Sequence, residues 1–401
     1  MIKAIRGMRD ILPPDTARWQ WVESVAREVF DLYGYQEIRL PLLERTELFA
    51  RAIGNETDIV AKEMYTFADR KGDSLTLRPE ATASVLRAVL ENRLEKEAGI
   101  KKLFTMGPMF RHERPQKGRF RQFYQINCEA FGGDAPELDV EVILLLVHIL
   151  KRLLLGELRL LINSLGCPEC QKKFKAALGL FLIDYLCPDC AAHFARVREL
   201  LERFQVAYEV QPRLVRGLDY YTRTAFEVVA LGLGAQDAVA GGGRYNGLAR
   251  DLGGPELPAI GFAIGEDRLV EVLPQDVGAD ARHRVFVAAL GEPAQERAFT
   301  LVQDLRRKGL AAELDFAGRS LKAQMTLADR LHATYAVILG ERELEAGAAQ
   351  VRPMHKMSHR STDSDNLTEV QGGRLQVEQE QVPFENLTDY LLKKIRAENS
   401  L

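Results

Sequence analysis

The chain has no long hydrophobic run. Its longest apolar stretch, Val142 to Leu150, is broken by His148 and falls far short of the roughly 20 residues that cross a bilayer. The opening residues, Met1-Ile-Lys-Ala-Ile-Arg-Gly, lack the apolar core of a signal peptide, so a cytoplasmic protein is expected. Positive charge is not in excess either. A net charge of −3 argues against a generally basic nucleic-acid coat, so any RNA contact must come from a local basic surface. Internal repeats are absent. Cysteine is scarce, at five residues, but four of them fall in two Cys-x-x-Cys pairs. In a reducing compartment that pattern points to metal or redox chemistry before disulfides.

What is present is ordinary for a globular protein: 46% hydrophobic and 28% charged residues in 401, enough for two or three domains. Val22, Val25, Ala26, Val29, Phe30 and Tyr33 repeat at helical spacing after Asp15-Thr16, and Gly34 supplies a stop. Glu37 to Pro41 reads as a strand. Short strand-like runs follow at Leu75–Leu77, Lys102–Met106 and Phe123–Asn127, with helices expected over 79–94 and 138–155. Residues 167–205 read as a helical insertion between two strand regions, and strand patterning resumes over 214–262. Residues 1–275 are expected as one domain and 276–283 as a linker. Residues 284–401 alternate β-α-β-α-β, the pattern of a small parallel sheet, and end in a helix from about Phe384. Met354 to Gly373, polar and aperiodic, reads as an exposed loop.

The stretch Arg216-Gly-Leu-Asp-Tyr-Tyr221 sets a guanidinium, a carboxylate and two phenols within six residues. It suits a pocket wall for a small polar ligand with anionic and hydrogen-bonding ends; the alternative for Arg216 is a structural ion pair with Asp219 or another acid. A second stretch, Arg111 to Arg121, is a basic hairpin carrying Arg111, Arg114, Lys117, Arg119 and Arg121. Arginine suits triphosphate oxygens because its fork donates two charge-assisted hydrogen bonds and keeps its charge. Taken alone, the hairpin could equally be a solvated charged loop.

Three stretches in order make the chain resemble the class II aminoacyl-tRNA synthetases, and the histidyl-tRNA synthetases among them: the helix leading to Glu37–Pro41, Phe110-Arg-His-Glu113, and Gly261 to Arg268. That resemblance implies an α+β class II synthetase catalytic domain (an antiparallel sheet flanked by helices) with a small helical insertion, plus a C-terminal α/β anticodon-binding domain. It implies a homodimer that charges tRNA(His) with L-histidine, using ATP and Mg²⁺. Arg216, Arg111 and Arg268 become the catalytic arginines. Thr76-Leu-Arg-Pro-Glu-Ala-Thr82 resembles Arg-Pro-Glu-Gly-Thr of the family, so histidine would be held by Glu80, Thr82, Arg111, Gln125, Glu129, Arg216, Tyr220 and Tyr221. ATP would meet Arg111, Glu113, Arg119, Arg121, Phe123 and Arg268, and Arg114 and Gln116 would touch the tRNA acceptor end. Gly241-Gly-Gly-Arg-Tyr245 matches a further family segment, its glycines expected to let backbone approach the adenylate. Two departures stand out: Ala81 replaces a glycine, and Glu266-Asp-Arg268 replaces Leu-Glu-Arg. A paralogue, the synthetase-like regulatory subunit of ATP phosphoribosyltransferase, typically loses the arginines and the C-terminal domain that this chain keeps. Prolyl and threonyl enzymes fail on Arg216–Tyr221.

The cysteine pairs, Cys167-Pro-Glu-Cys170 and Cys187-Pro-Asp-Cys190, have the spacing C-x2-C-x16-C-x2-C. That lies within the window of a four-thiolate structural Zn²⁺ site. A redox pair and an accidental pairing remain open, since zinc is not a general feature of the family. The insertion is shorter than in most bacterial relatives, and a small core invites a metal staple.

Overall fold

The computed structural model describes residues 2–54, 57–115, 118–153, 155, 158–177, 180–230, 238–274, 277, 284–354 and 379–398. The expected linker over 276–283, apart from Val277, and all of the Met354–Gly373 loop except Met354 lie outside the described residues. Two compact units emerge, Met1–Ala279 and Asp280–Leu401.

The first unit runs α1 (Asp15–Leu32), β1 (Gln36–Glu37), β2 (Leu43–Arg45), α2 (Thr46–Ile53), β3 (Tyr65–Ala68), β4 (Ser74–Leu77), α3 (Thr82–Glu91), β5 (Lys101–Phe110), β6 (Gln122–Phe131) and α4 (Pro136–Arg152). It continues through β7 (Leu158–Ser164), α5 (Pro168–Ala177), α6 (Pro188–Arg203), β8 (Glu209–Val210), β9 (Thr222–Ala230), β10 (Ala238–Arg244), α7 (Leu248–Asp251), β11 (Ala259–Gly265) and α8 (Glu266–Val272). Eight strands form one sheet in the order β1-β5-β6-β11-β10-β9-β7-β8. Its six central strands are antiparallel, and only the two-residue edge strands β1 and β8 pair in parallel. The strand expected over Glu37–Pro41 therefore shrinks to Gln36–Glu37, with Ile38 N–H still donating to Phe104. Pro41 has no N–H with which to continue the ladder.

Strand period decides the sheet's two faces. Ile126, Cys128 and Ala130 of β6, Phe226 and Val228 of β9, and Ile260, Phe262 and Ile264 of β11 point into one core. That core is covered by the apolar stripes of α1 (Trp19, Val22, Val25, Ala26, Val29, Phe30), α4, α6 and α8. Phe30 stacks on Phe104 with ring centres 4.3 Å apart, which fixes α1 against β5. The intervening residues Phe123, Gln125, Asn127 and Glu129 face the other way, with Glu227, Gly241 and Gly261. On that side α2, α3 and α7 pack with Tyr220, Tyr221 and Tyr245 into a second core.

The second unit holds β12 (Arg284–Ala289), α9 (Glu292–Arg307), β13 (Ala311–Leu314), α10 (Leu321–Arg330), β14 (Tyr335–Leu339), α11 (Glu341–Glu345), β15 (Ala348–Pro353), β16 (Glu380–Pro383) and α12 (Phe384–Glu398). Strands β13, β12 and β14 are parallel, as their alternation with helices suggests. The sheet is nonetheless mixed, because β15 and β16 extend it in antiparallel fashion.

Candidate active site

The polar face of the central strands floors a cavity of about 290 Å³. Twelve of the residues singled out from the sequence line it: Glu80, Thr82, Arg111, Glu113, Arg119, Phe123, Gln125, Glu129, Arg216, Tyr220, Tyr221 and Arg268. They arrive from five separated segments, which is how a sheet face and the turns beside it concentrate chemistry. Three expected residues are not there. Arg121, which precedes β6, is turned from the cavity by its bonds to the carbonyls of Glu113 and Arg6, and so pins the N-terminal segment. Arg114 is exposed on the hairpin, and Gln116 lies outside the described residues.

The acidic end is built on α3. Glu80 accepts the N–H groups of Thr82 and Ala83 at 2.6 and 3.0 Å, satisfying free donors of the helix's first turn. Ala81 sits there at φ −105°, a conformation open to any residue, so the departure from glycine carries no strain. Thr82 Oγ1 donates to Glu129 at 2.7 Å, and Tyr245 OH makes a short bond to the other Glu129 oxygen. Burial pushes the Glu129 carboxyl up to about 8 even against these two donors, and the nearby Glu80 charge adds to the rise. Glu80 is also raised by burial, with its two N–H partners opposing. Glu129 therefore holds its proton more tightly than an ordinary carboxyl does.

Arginines occupy the rest. Arg216 Nη1 donates to Glu227 at 2.7 Å, not to Asp219, and the guanidinium stands 5.7 Å over the Tyr221 ring. Arg111 is aimed by a bond from Nε to Pro79 O at 2.9 Å and lies over Phe123. Arg119 pairs with Glu113 at 3.0 Å. Arg268, in the first turn of α8, is held by the carbonyls of Ala238 and Gly118. Burial, then the repulsion of Arg119, lowers its pKa from the usual arginine value. Several cavity groups are poised for a ligand: Gln125 Oε1, Asn127 Nδ2 and Arg216 Nε are buried without a hydrogen-bond partner among the described residues.

Two glycines make this arrangement possible by the space they leave. Gly261 lies directly across the ladder from Glu129, where a Cβ would come within 1.8 Å of its carboxylate. Gly241 faces Glu227, and a Cβ there would sit 2.4 Å from the Arg216 guanidinium. Of the three glycines expected to approach an adenylate, only Gly241 lines the cavity. Gly242 and Gly243 instead allow close packing against Gly261 O and Thr224 O of the flanking strands.

The family model described as histidyl-tRNA synthetase matches residues 7–180 and 170–269, and the anticodon binding domain model matches 284–371. The chain belongs to the histidyl-tRNA synthetase family. It is 47% identical over 393 residues to the histidine–tRNA ligase of Syntrophotalea carbinolica, covering 88% of this chain and 94% of that one. It is 48% identical over 396 residues to that of Desulforapulum autotrophicum, covering 88% and 93%. The crystal structure of the apo Staphylococcus aureus histidyl-tRNA synthetase superposes with a TM-score of 0.78 at 34% identity, over 97% of this chain and 99% of that one. A Bacillus halodurans protein titled as an ATP phosphoribosyltransferase regulatory subunit/histidyl-tRNA synthetase shares the fold at 21% identity and a TM-score of 0.66, over 84% of this chain and 97% of that one.

Within this member of the family, sequence reasoning passed over Tyr245, Asn127 and Glu227 as site residues. Tyr245 follows the Gly241–Arg244 strand that drew notice for its glycines. Asn127 continues the period-two series Phe123, Gln125, Glu129, and Glu227 alternates with the core residues Phe226 and Val228. In both strands the alternation itself was the available signal. Four further expected residues, the cysteines, lie away from this cavity but together: all four sulfurs fall within 4.8 Å of one another. No described helix is long and apolar enough to cross a membrane.

Proposed function

We propose that the chain is a histidine–tRNA ligase that activates L-histidine with ATP in the cavity of residues 1–275 and passes it to the 3′ end of tRNA(His). The observation that carries this reading is the meeting of Arg111, Arg216 and Arg268 with Glu80, Glu129 and Tyr221 around one cavity, in a chain of this family. Glu80 and Thr82 take the α-ammonium group, whose charge offsets the cost of the buried carboxylate. Glu129 and Tyr221 read the two imidazole nitrogens, with Tyr220 beside them and Gln125 assisting at the amino end. Leaving either nitrogen unpaired costs about 1–3 kcal/mol, which is the basis of selection against isosteres.

The histidine carboxylate is already ionised, so its oxygen attacks the α-phosphorus in line without a general base, and pyrophosphate leaves. Catalysis is then positioning plus charge stabilisation by Arg216, Arg111 and Arg268. Phe123 stacks on the adenine, with Glu113 and Arg119 at its side of the site. When bound, Mg²⁺ would neutralise phosphate charge, and the Glu113 carboxylate at the cavity wall would offer it a hard oxygen donor. Arg114 and Gln116 reach the tRNA acceptor end, and residues 284–401 bind the anticodon arm. The assembly is a homodimer, and its place is the cytoplasm.

The test is histidine-dependent ATP–pyrophosphate exchange. Exchange with histidine alone among the amino acids, lost in Arg216→Ala, is expected. Folded protein without exchange would move the non-catalytic regulatory-subunit reading to first place.

A further inference from the structure

The insertion carries a feature that the activation chemistry does not use. The cysteine pairs open two helices in the same way. Cys167 immediately precedes α5 and Cys187 is the N-cap of α6, a proline takes the first helical position of each, and the second cysteine follows two residues later. Each helix thus turns its free N–H end toward sulfur, which favours thiolates. The two knuckles meet. Cys167 and Cys170 Sγ are 3.5 Å apart, Cys187 N–H donates to Cys170 Sγ at 3.1 Å, and all four sulfurs lie within 4.8 Å of one another. Four sulfurs on a tetrahedral zinc at about 2.3 Å are separated by about 3.8 Å. All four thiols are free, and the Cys167–Cys170 sulfur separation is well beyond the roughly 2.05 Å of a disulfide.

The need for a staple is visible in the packing. Helix α6 buries Phe194, Val197, Leu200 and Leu201 in the main core, whereas α5 buries only Cys170 among its described residues. The cluster also sits next to the tyrosine wall. Gly166, one residue before Cys167, accepts the N–H of Arg223 at 2.8 Å, and Leu165 N–H donates to Arg223 O at 2.6 Å. Arg223 is held there at φ +51°, a conformation rare for a side chain of its size. From the first turn of α5, Gln171 Nε2 donates to Tyr221 O at 3.3 Å and to Leu165 O at 3.2 Å.

We propose that Cys167, Cys170, Cys187 and Cys190 bind one Zn²⁺ through four thiolates, and that the metal positions Tyr220 and Tyr221 through the Gly166–Arg223 and Gln171–Tyr221 contacts. The cysteines are positioning residues, not catalytic ones. Zinc displaces their thiol protons to the buffer as it binds. The second half of the proposal rests on the reading of the cavity given above; the first half does not.

The test uses the full chain purified without chelator. Metal analysis should return one zinc per chain, retained in Cys128→Ala and lost in Cys187→Ser. Cobalt added to the stripped protein should give the visible spectrum of a tetrahedral tetrathiolate. Sub-stoichiometric metal without a cobalt spectrum, iron in place of zinc, or two disulfides would each overturn the site. Stripping and reloading wild type avoids dependence on how well the variant folds. Metal removal should raise the KM for histidine in pyrophosphate exchange about tenfold with a smaller change in kcat, and zinc should restore it. An unchanged KM overturns the positioning role while the metal site stands. Absent exchange in zinc-loaded protein overturns both the proposed activity and the positioning role, and leaves the stoichiometric site intact.

Discussion

Arg216 is paired with Glu227 at 2.7 Å while its guanidinium faces Tyr221 at 5.7 Å, so the arginine is held in place before any phosphate arrives. A partner of this kind preorganises charge but has to be outcompeted or shared in the transition state. If the pair were only structural, Arg216→Ala and Glu227→Gln would cost similar stability and similar activity. We expect instead that Arg216→Ala lowers kcat of pyrophosphate exchange by about 10²–10³-fold, the scale of a lost transition-state donor. Glu227→Gln should lose far less. Arg216→Lys should recover little, because an ammonium cannot reproduce the two-pronged donor. Comparable losses in all three variants would return Arg216 to a structural role.

Gly241 and Gly261 look alike in sequence but differ in what an added methyl group would strike. At Gly241 the nearest atoms are the end of the flexible Arg216 side chain. At Gly261 they include the Cys128 carbonyl at 2.3 Å, which belongs to the adjacent strand and cannot move alone. Gly241→Ala should therefore leave the melting temperature almost unchanged while displacing Arg216 and lowering kcat. Gly261→Ala should destabilise the fold by about 1–3 kcal/mol, the usual cost of overpacking. Thermal melts read beside exchange rates separate the two outcomes.

Glu129 gives the site a pH signature. Its carboxyl is raised from the ordinary 4.5 to about 8, first by burial, so the folded protein binds this proton more tightly than the unfolded chain does. The stability it contributes is full below the ordinary carboxyl value and is lost as pH rises toward 8. Melting temperature between about pH 5 and 8 should fall more steeply in wild type than in Glu129→Gln. Histidine binding brings hydrogen-bond donors and a positive charge to Glu80 and Glu129, lowering the Glu129 pKa. Calorimetry at pH 7 in buffers of different ionisation enthalpy should then detect proton release, up to about one per histidine. Net proton uptake would contradict that assignment.

Much of this site was legible because its residues are chemically conspicuous. A buried carboxylate after proline, an arginine before two tyrosines, and arginines around a turn announce themselves, and the structure gathers twelve such residues at one cavity. Arg121 misled because backbone carbonyls of Glu113 and the distant Arg6 draw its guanidinium away, a contact that local pattern does not encode. Tyr245 and Glu227 were hidden for the opposite reason: each looks like an ordinary strand residue until Glu129 and Arg216 are found against it. The long central strands were underestimated in length, since β6 alternates polar cavity residues with core residues and only half of it reads as apolar. The mixed C-terminal sheet depended on β15 and β16, short strands whose pairing is not encoded by local periodicity.

The exchange of Leu-Glu-Arg for Glu266-Asp-Arg268 is not neutral for the fold. Asp267 takes up a defined role, accepting Tyr124 N–H at 2.7 Å and Arg9 at 2.9 Å. Glu266 is fully buried, and neither carboxylate oxygen has a hydrogen-bond partner among the described residues. Burial drives its pKa well above the usual carboxyl value, and the charges of Glu23 and Asp267 push it further. Such a group is stable only while protonated, so its contribution is present below the ordinary carboxyl pKa and lost as pH rises. Glu266→Leu should therefore stabilise the protein at neutral pH by about 1–3 kcal/mol, the cost of an unsatisfied buried polar group. It should also flatten the decline in melting temperature above pH 5. Arg268 keeps its carbonyl partners, so the KM for ATP should be unchanged. A lower melting temperature in Glu266→Leu would mean that the carboxyl is paired in solution, with a group that offsets its burial.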